Sequence, residues 1–158
     1  MMTSENLKIE KIRTGQGFIA ALDQSGGSTP KALMNYGIHE TEWSSEEEMF
    51  ELVHKMRERI VSDSNFTGKQ IIGAILFERT MNSRFCGVDC AKYLWEKKEI
   101  VPFLKIDKGL ADEEEGVQLM KPNPNLIEIL KIARNKEIFG TKMRSVIKSS
   151  QHSGIEKV

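Results

Sequence analysis

Four apolar runs recur along the chain, and segments with helical periodicity lie between them. The runs read GFIAAL, KQIIGAILF, IVPFLKI and the shorter, more polar EIFGTKMRS. Near-continuous apolar runs are typical of strands that are buried on both faces of a parallel sheet. The segments that we predict to be helices read TPKALMNYGI, SSEEEMFELVHKMRERIV, DCAKYLWEKK and NPNLIEILKIARNK. The resulting order βαβαβαβ predicts an α/β fold with parallel strands and right-handed crossovers.

The longest of these predicted helices has a clear beginning. Ser44 or Ser45 can cap its N-terminus, and three acids at positions 46–48 follow in the first turn. Acids at this end interact favourably with the helix dipole, which explains the cluster without a binding role. Apolar side chains then recur at helical spacing, at Met49, Leu52, Val53, Met56 and Ile60.

The length and the charge of the chain limit its class. Its 158 residues fit a single domain, residues 1–158, and 23 basic residues balance 23 acidic ones. A net charge of zero does not favour nucleic acid or an anionic membrane as a partner. No apolar stretch approaches the roughly 20 residues that span a bilayer, and the N-terminus lacks the apolar core of a signal peptide. We therefore expect no membrane association and a cytoplasmic location.

The cysteines and histidines do not form a recognisable metal site. Cys86 and Cys90 have the spacing C-x3-C, but no second pair at metal-binding spacing follows, so we interpret them as free thiols. His39, His54 and His152 are scattered, and none lies beside a candidate nucleophile. We predict neither a metal nor a cofactor.

Polar residues stand where each of the four apolar runs ends. Chemistry contributed by every consecutive strand end is typical of a TIM (β/α)8 barrel, whereas an open doubly wound sheet concentrates its site at one switch point. A complete barrel has about 250 residues, so we predict only the first four βα units, a half barrel. The residues at the strand ends are Asp23 with Ser25, Glu78 with Arg79, Lys105 with Asp107, and Lys142 with Arg144.

Alternation along a strand predicts which of these side chains share a face. Lys105 and Asp107 lie on the same face of the third predicted strand, and Lys142 and Arg144 lie on the same face of the fourth. Lys142 and Arg144 cannot neutralise each other and need an acid as partner. Asp23, at the end of the first strand, is the candidate if the sheet curls and brings the first and fourth strands together. A desolvated lysine among cations can attack a carbonyl as a Schiff-base nucleophile, but the residues alone do not say which lysine does so. A buried structural ion pair is the alternative interpretation of Lys105 and Asp107.

The stretch DQSGGS suits a phosphate group. Its Gly-Gly turn brings backbone N–H groups close to a ligand, the hydroxyls of Ser25 and Ser28 add donors, and Lys105 supplies charge. A two-glycine turn with helix-capping serines is also a common structural loop, and this alternative stays open.

Five motifs together resemble the bacterial class I fructose-bisphosphate aldolases. They are GFIAALDQSGGSTPKAL, GAILFERTM, VPFLKIDKGL, GVQLMKP and IFGTKMRS, in family order over nearly the whole chain. The resemblance implies a TIM barrel, normally a homo-oligomer, in glycolysis. It implies reversible cleavage of fructose 1,6-bisphosphate to dihydroxyacetone phosphate and glyceraldehyde 3-phosphate through a lysine Schiff base, without metal.

The resemblance also implies roles for individual residues at the carbonyl centre. Asp23 matches the aspartate that assists formation and breakdown of the carbinolamine. Lys142 matches the lysine that orients this aspartate and stabilises developing charge, and Asp107 is expected to pair with the lysines.

Other residues match the groups that hold the substrate phosphates. Lys105, Ser25 and Ser28 match the group at one phosphate, and Arg144 matches an arginine near the sugar-phosphate end. Animal members of the family carry an arginine where this chain has Ala32, so that phosphate contact is missing or replaced.

The family's catalytic glutamate and its Schiff-base lysine belong to segments beyond Val158. We therefore expect the chain to be the N-terminal half of an aldolase, inactive alone, which self-associates or pairs with a complementary C-terminal half. One alternative is a non-catalytic half barrel that binds phosphate sugars or assembles with another chain. Another is an independent lyase that uses Lys105 or Lys142 as its nucleophile.

Overall fold

A four-stranded parallel sheet is the centre of the computed structural model, which describes residues 2–148 and 152–158. Its strands lie side by side in chain order: β1 (Phe18–Leu22), β2 (Ile71–Leu76), β5 (Val101–Lys105) and β7 (Gly140–Lys142). The short strands numbered between them are described below. Each of the four apolar runs forms one strand, so the prediction of an α/β fold with a parallel sheet is confirmed.

The four predicted helices are also present, with slightly shorter bounds. They are α2 (Thr29–Asn35), α3 (Glu46–Ser62), α5 (Cys90–Lys98) and α6 (Leu126–Asn135). Ser45 rather than Ser44 caps α3, since its hydroxyl accepts a hydrogen bond from the backbone N–H of Glu48 at 3.2 Å. The Glu48 carboxylate in turn accepts the backbone N–H of Ser44 at 2.6 Å. This reciprocal arrangement satisfies two backbone donors and fixes where the helix begins.

Helix α1 (Ser4–Thr14) precedes the sheet, and the sequence pattern does not predict it. It has no continuous apolar stripe, and two of its lysines form hydrogen bonds with other parts of the fold. The ammonium of Lys8 donates to the carbonyl of Glu137 at 3.2 Å, and that of Lys11 donates to the carbonyl of Gly68 at 2.9 Å. Such contacts leave no hydrophobic periodicity in the sequence.

Several short elements also lie outside the prediction. They are α4 (Glu78–Met81), the antiparallel pair β3 (Arg84–Phe85) and β4 (Val88–Asp89), the antiparallel pair β6 (Val117–Gln118) and β8 (Val146–Ile147), and α7 (His152–Ile155). Segments of two to four residues are too short to show a period. The second pair connects the segment after β5 to the segment after β7, and so joins two neighbouring strand ends.

The apolar core lies between the sheet and the helices. Its buried residues include Leu76, Leu94 and Ile100 near α5, Leu104, Ile129 and Ala133 near α6, and Leu33 and Val53 between α2 and α3. Because side chains alternate along a strand, Phe103 and Lys105 point to the face opposite Leu104. A Cβ atom added at Gly73 would lie 2.9 Å from the Phe103 ring, so this glycine makes room for the aromatic side chain.

The two edge strands of the sheet are β1 and β7. On β1, the residues Phe18 and Ile19 are 57% and 46% exposed. An apolar edge strand can pair with another chain. In the described part of the chain, no helix is long and apolar enough to cross a membrane.

Candidate active site

A cavity of about 900 Å³ opens at the carboxyl ends of the four strands. All seven residues that the sequence analysis predicts for the site line it: Asp23, Ser25, Ser28, Lys105, Asp107, Lys142 and Arg144. They come from the ends of three different strands, and Glu78 and Arg79 add the fourth. The structure therefore brings the predicted residues to one place.

Asp107 is at the centre of the charged groups. Its Oδ1 lies 2.8 Å from the ammonium of Lys105, and its Oδ2 lies 3.3 Å from the ammonium of Lys142. The Lys105 ammonium also donates to the backbone carbonyl of Asp107 at 2.6 Å. Lys105 and Lys142 are register partners on β5 and β7, so both lysines point to the same face and converge on one carboxylate.

The two lysines change the acidity of Asp107. The side chain is only 5% exposed, and this burial by itself would raise the pKa of the carboxyl group. Hydrogen bonds and charge from Lys105, together with those from Lys142, outweigh burial and lower the pKa of Asp107 below its ordinary value. Asp107 is therefore a stable anion at neutral pH, which suits it to hold the two ammonium groups in place.

Lys142 has a second carboxylate partner. Its ammonium lies 3.5 Å from Oδ2 of Asp23, at the end of β1. The pairing of Asp23 with a cation of the last strand is therefore observed, and Lys142 bridges Asp23 and Asp107. Arg144 lies at the exposed side of the cavity and makes no ion pair with the described residues. Its guanidinium is thus accessible to an anion.

Ser25 and Ser28, in the first loop, line the cavity, and their hydroxyl groups form no hydrogen bond with the described residues. Ser28 is at the N-cap position of α2, yet its side chain makes no capping hydrogen bond. Ser25 is half-buried and also lines the cavity. Both hydroxyls can therefore donate to a ligand. The cation predicted to act with them, Lys105, is already engaged by Asp107, so a phosphate at this place would share or replace that contact.

Arg57 also belongs to the site region, although the residues at the strand ends do not predict it. It is 2% exposed, and its Nη2 donates to the carbonyl of Gln24 at 2.5 Å, directly after Asp23. Its Nη1 donates to Oγ1 of Thr80 at 2.6 Å. Burial lowers the pKa of Arg57 to about 10, although the carboxylate of Asp23 opposes this shift. A signal existed in the sequence, since Arg57 follows Val53 by four residues and so falls on the apolar face of α3.

Residues after β2 complete the wall of the cavity. Glu78 forms an ion pair with Lys108 at 2.9 Å, and the guanidinium of Arg79 lies 4.6 Å from the centre of the Phe50 ring. Cation–π contacts of this kind hold a charge in place without neutralising it. Arg79 therefore keeps its positive charge at the edge of the cavity.

The cysteines lie away from these groups. Cys86 is exposed, with its Sγ 3.9 Å from the hydroxyl of Tyr93, and Cys90 is buried. Burial, together with the charges of Asp89 and Glu58, raises the pKa of Cys90 to about 12. A thiol that stays protonated is a poor metal ligand. Among the described residues, no group of three or more potential metal ligands is present.

Comparisons with known proteins agree with the motifs. No family model matches the chain. It is 59% identical over 151 residues to a class 1 fructose-bisphosphate aldolase of Clostridium acetobutylicum, covering 96% of this chain and 51% of the relative. The class 1 aldolase of Synechocystis is 54% identical over 160 residues, which are 100% of this chain and 53% of the relative. The class 1 aldolase of Porphyromonas gingivalis is 54% identical over 151 residues, which are 96% of this chain and 52% of the relative.

A solved structure supports the same relationship. Fructose-bisphosphate aldolase from Plasmodium falciparum, crystallised in complex with TRAP and a small-molecule inhibitor, superimposes with a TM-score of 0.68 at 25% identity. The match covers 89% of this chain and 38% of that one. The chain spans about half the length of the curated relatives it matches. The resemblance seen in the motifs is therefore confirmed, and the chain is a homologue of the class 1 fructose-bisphosphate aldolases over about half their length.

Proposed function

We propose that the chain forms part of the active site of a fructose-bisphosphate aldolase. The reaction would be the reversible cleavage of fructose 1,6-bisphosphate to dihydroxyacetone phosphate and glyceraldehyde 3-phosphate through a lysine Schiff base. The observation that carries this proposal is the ammonium of Lys142, which lies between the carboxylates of Asp23 and Asp107 in the cavity at the strand ends. The names of the relatives support the choice of reaction.

In this proposal, three charged groups act at the substrate carbonyl. Asp23 gives and takes the proton that converts a carbinolamine to an imine and back. Lys142 orients Asp23 and stabilises negative charge on the substrate oxygen. Asp107 keeps the Lys142 ammonium in position, since it holds the other side of that group at 3.3 Å.

The remaining groups hold the two phosphates. Ser25, Ser28 and the ammonium of Lys105 bind one phosphate, because unengaged hydroxyls and a cation face the same cavity. Arg144 binds near the other end of the sugar phosphate, because it lies in the same cavity without an ion pair among the described residues. The small side chain of Ala32 makes no polar contact with either phosphate.

Neither lysine of the site serves as the nucleophile in this proposal. The ammonium groups of Lys105 and Lys142 both donate to carboxylate oxygens of Asp107. An amine attacks a carbonyl through a free lone pair, and an ammonium held by an acid has none. We propose that the Schiff-base lysine comes from a complementary C-terminal half of the barrel, and that the chain is inactive without it.

The fold that fits this role is a single domain over residues 1–158 that forms half of a TIM barrel. The parallel strands follow chain order, as successive βα units of a barrel do. The edges of β1 and β7 would pair with strands of the complementary half or with another copy of the chain. A non-catalytic half barrel that binds phosphate sugars is the second candidate, and the engaged state of both site lysines favours it for the chain alone.

Borohydride trapping separates these possibilities. Dihydroxyacetone phosphate and borohydride are added either to the chain alone or to a mixture of the chain with a complementary C-terminal half from a relative. The protein is then digested, and mass spectrometry of the peptides locates any adduct. We expect an adduct only in the mixture, on a lysine of the added half, together with cleavage activity. Asp23→Asn in the mixture is expected to lower the rate, because the proton donor is lost.

Two other outcomes would contradict the proposal. An adduct on Lys105 or Lys142 in the chain alone would show an independent lyase. Binding of fructose 1,6-bisphosphate with no activity in the mixture, although the two halves associate, would favour the non-catalytic half barrel.

A further inference from the structure

A second cavity, of about 320 Å³, lies between α3 and α4 beside the candidate active site. Three lysine or arginine side chains line it, those of Lys55, Arg57 and Arg79, together with one acid, Glu51. The remaining lining residues are Phe50, His54, Thr80 and Ser83. Only Phe50 and Arg79 also line the first cavity, so most of the second one is separate from the proposed aldolase site.

Arg57 carries a buried charge on which the carboxylate of Asp23 acts only from a distance. None of the acids in the described residues forms an ion pair with its guanidinium, whose two terminal nitrogens donate to uncharged oxygens. The Nε atom of Arg57 is buried and has no hydrogen-bond partner among the described residues. A buried cation is costly unless an anion or a full set of acceptors surrounds it. The free Nε–H of Arg57 therefore points to a missing acceptor, preferably an anion.

His54 adds a second unpartnered atom on the same helix face. Its Nε2 lies 2.8 Å from the carbonyl oxygen of Arg84, and because a carbonyl only accepts, Nε2 must carry the proton. In the neutral ring, Nδ1 is then an acceptor, and this buried atom has no donor among the described residues. The ring stacks on Phe85, with 5.4 Å between centroids, so its orientation is fixed. His54 precedes Arg57 by three residues, which places both on one face of α3.

We propose that this cavity binds a phosphate group that carries a proton, either inorganic phosphate or a phosphate monoester. A charged oxygen of the phosphate accepts from Nε of Arg57, and its protonated oxygen donates to Nδ1 of His54. Lys55 and Arg79 add positive charge at the opening. A ligand with both a donor and an anionic acceptor satisfies both orphan atoms, which sulfate, having no proton at neutral pH, cannot do. The inference goes beyond the proposed aldolase activity and does not depend on it.

The ring nitrogens of His54 report directly on this site. The protein contains three histidines, so selective ¹⁵N labelling of histidine gives a spectrum in which His54 is assigned with one variant. Inorganic phosphate is titrated at neutral pH, with sulfate as the matched anion. We expect a saturable shift of the His54 Nδ1 resonance with phosphate and a much weaker response with sulfate.

Three variants make the assignment specific. Arg57→Lys keeps a charge but removes the Nε donor, and it should raise the dissociation constant at least tenfold, as loss of a hydrogen bond to a charged group does at roughly 1.5 kcal/mol. Lys55→Met should raise the dissociation constant roughly threefold to fivefold, the size of an exposed ion pair. Lys97→Met, the same change at an exposed lysine of α5, should leave it unchanged. If Arg57→Lys does not fold, the comparison of Lys55→Met with Lys97→Met remains decisive.

Lys105→Ala separates this site from the proposed substrate phosphate site. It should weaken phosphate binding in the first cavity and leave the His54 response intact. A His54 resonance that does not move, that moves without saturation, or that responds equally to sulfate would overturn the proposal. Loss of the His54 response in a folded Lys105→Ala variant would overturn it as well, because the observed binding would then belong to the first cavity.

Discussion

Replacing Asp107 by asparagine removes the charge that two lysines share without changing the shape of the side chain. The substitution loses charge-assisted contacts of 2.8 Å to Lys105 and 3.3 Å to Lys142. Hydrogen bonds to charged groups contribute about 1.5–3 kcal/mol each, but relief of the buried carboxylate offsets part of this loss. The amide oxygen also still accepts from one lysine. We therefore expect Asp107→Asn to lower the free energy of unfolding by about 2 kcal/mol at neutral pH.

The pH dependence of this difference follows from the lowered pKa of Asp107. A carboxyl group whose pKa is lower in the folded state stabilises the fold above its unfolded pKa, which is about 3.9 for aspartate. That contribution is lost as the pH falls from this value through the lower pKa of the folded state. The native chain should therefore exceed Asp107→Asn in stability by a constant amount above about pH 5, and the difference should shrink below about pH 4.

Urea unfolding followed by circular dichroism measures both effects. Glu113→Gln is the matched control, because it also converts an acid to its amide but removes an exposed pair, 2.6 Å from Lys148. Exposed pairs contribute at most about 1 kcal/mol, so this control should change stability by less than half as much as Asp107→Asn. Equal effects of the two substitutions, or a difference for Asp107→Asn that is unchanged down to about pH 3, would refute the reasoning.

Three further outcomes are expected. Fructose 1,6-bisphosphate should bind more tightly than fructose in a calorimetric titration, and Lys105→Ala should remove the difference; equal affinities in the native chain would contradict the phosphate assignment. The chain should self-associate through its exposed β1 edge in sedimentation experiments, and Ile19→Lys should shift it toward monomer, whereas a native monomer at all micromolar concentrations would show that the edge is covered. Leu76→Ala should lower the free energy of unfolding by about 2–5 kcal/mol because the side chain is fully buried, and Ile127→Ala, at an exposed site of α6, should change it by less than about 0.5 kcal/mol.

The strands and the main helices could be predicted because their signals are local. Apolar runs mark the buried strands, and Ser45 with the acids after it marks the start of α3. Helix α1 could not be predicted in the same way, since Lys8 and Lys11 attach it through backbone carbonyls. A lysine in a sequence is normally taken as a sign of exposure, and only the fold shows where its stem is buried.

The members of the site were predictable, whereas their pairing was not. Charged residues at strand ends identify Lys105, Asp107 and Lys142 without a structure. That both lysines converge on Asp107 depends on the register of β5 against β7, which pairs Lys105 with Lys142. Register is a property of the assembled sheet, so no local pattern contains it. The place of Arg57 on the apolar face of α3 indicates burial, but its link to the site depends on hydrogen-bond partners, Gln24 and Thr80, that lie in other elements.

The contact between Lys142 and Asp23 also bears on the shape of the sheet. These residues belong to β7 and to the end of β1, and β2 and β5 lie between those strands. Three strand spacings of about 4.8 Å would separate them by roughly 14 Å in a flat sheet, and side chains stand nearly perpendicular to such a sheet. Their charged atoms nevertheless lie 3.5 Å apart. The sheet must therefore curl toward the face that carries the lysines, as a barrel does. This curvature makes a single site from strand ends that are distant in the sequence.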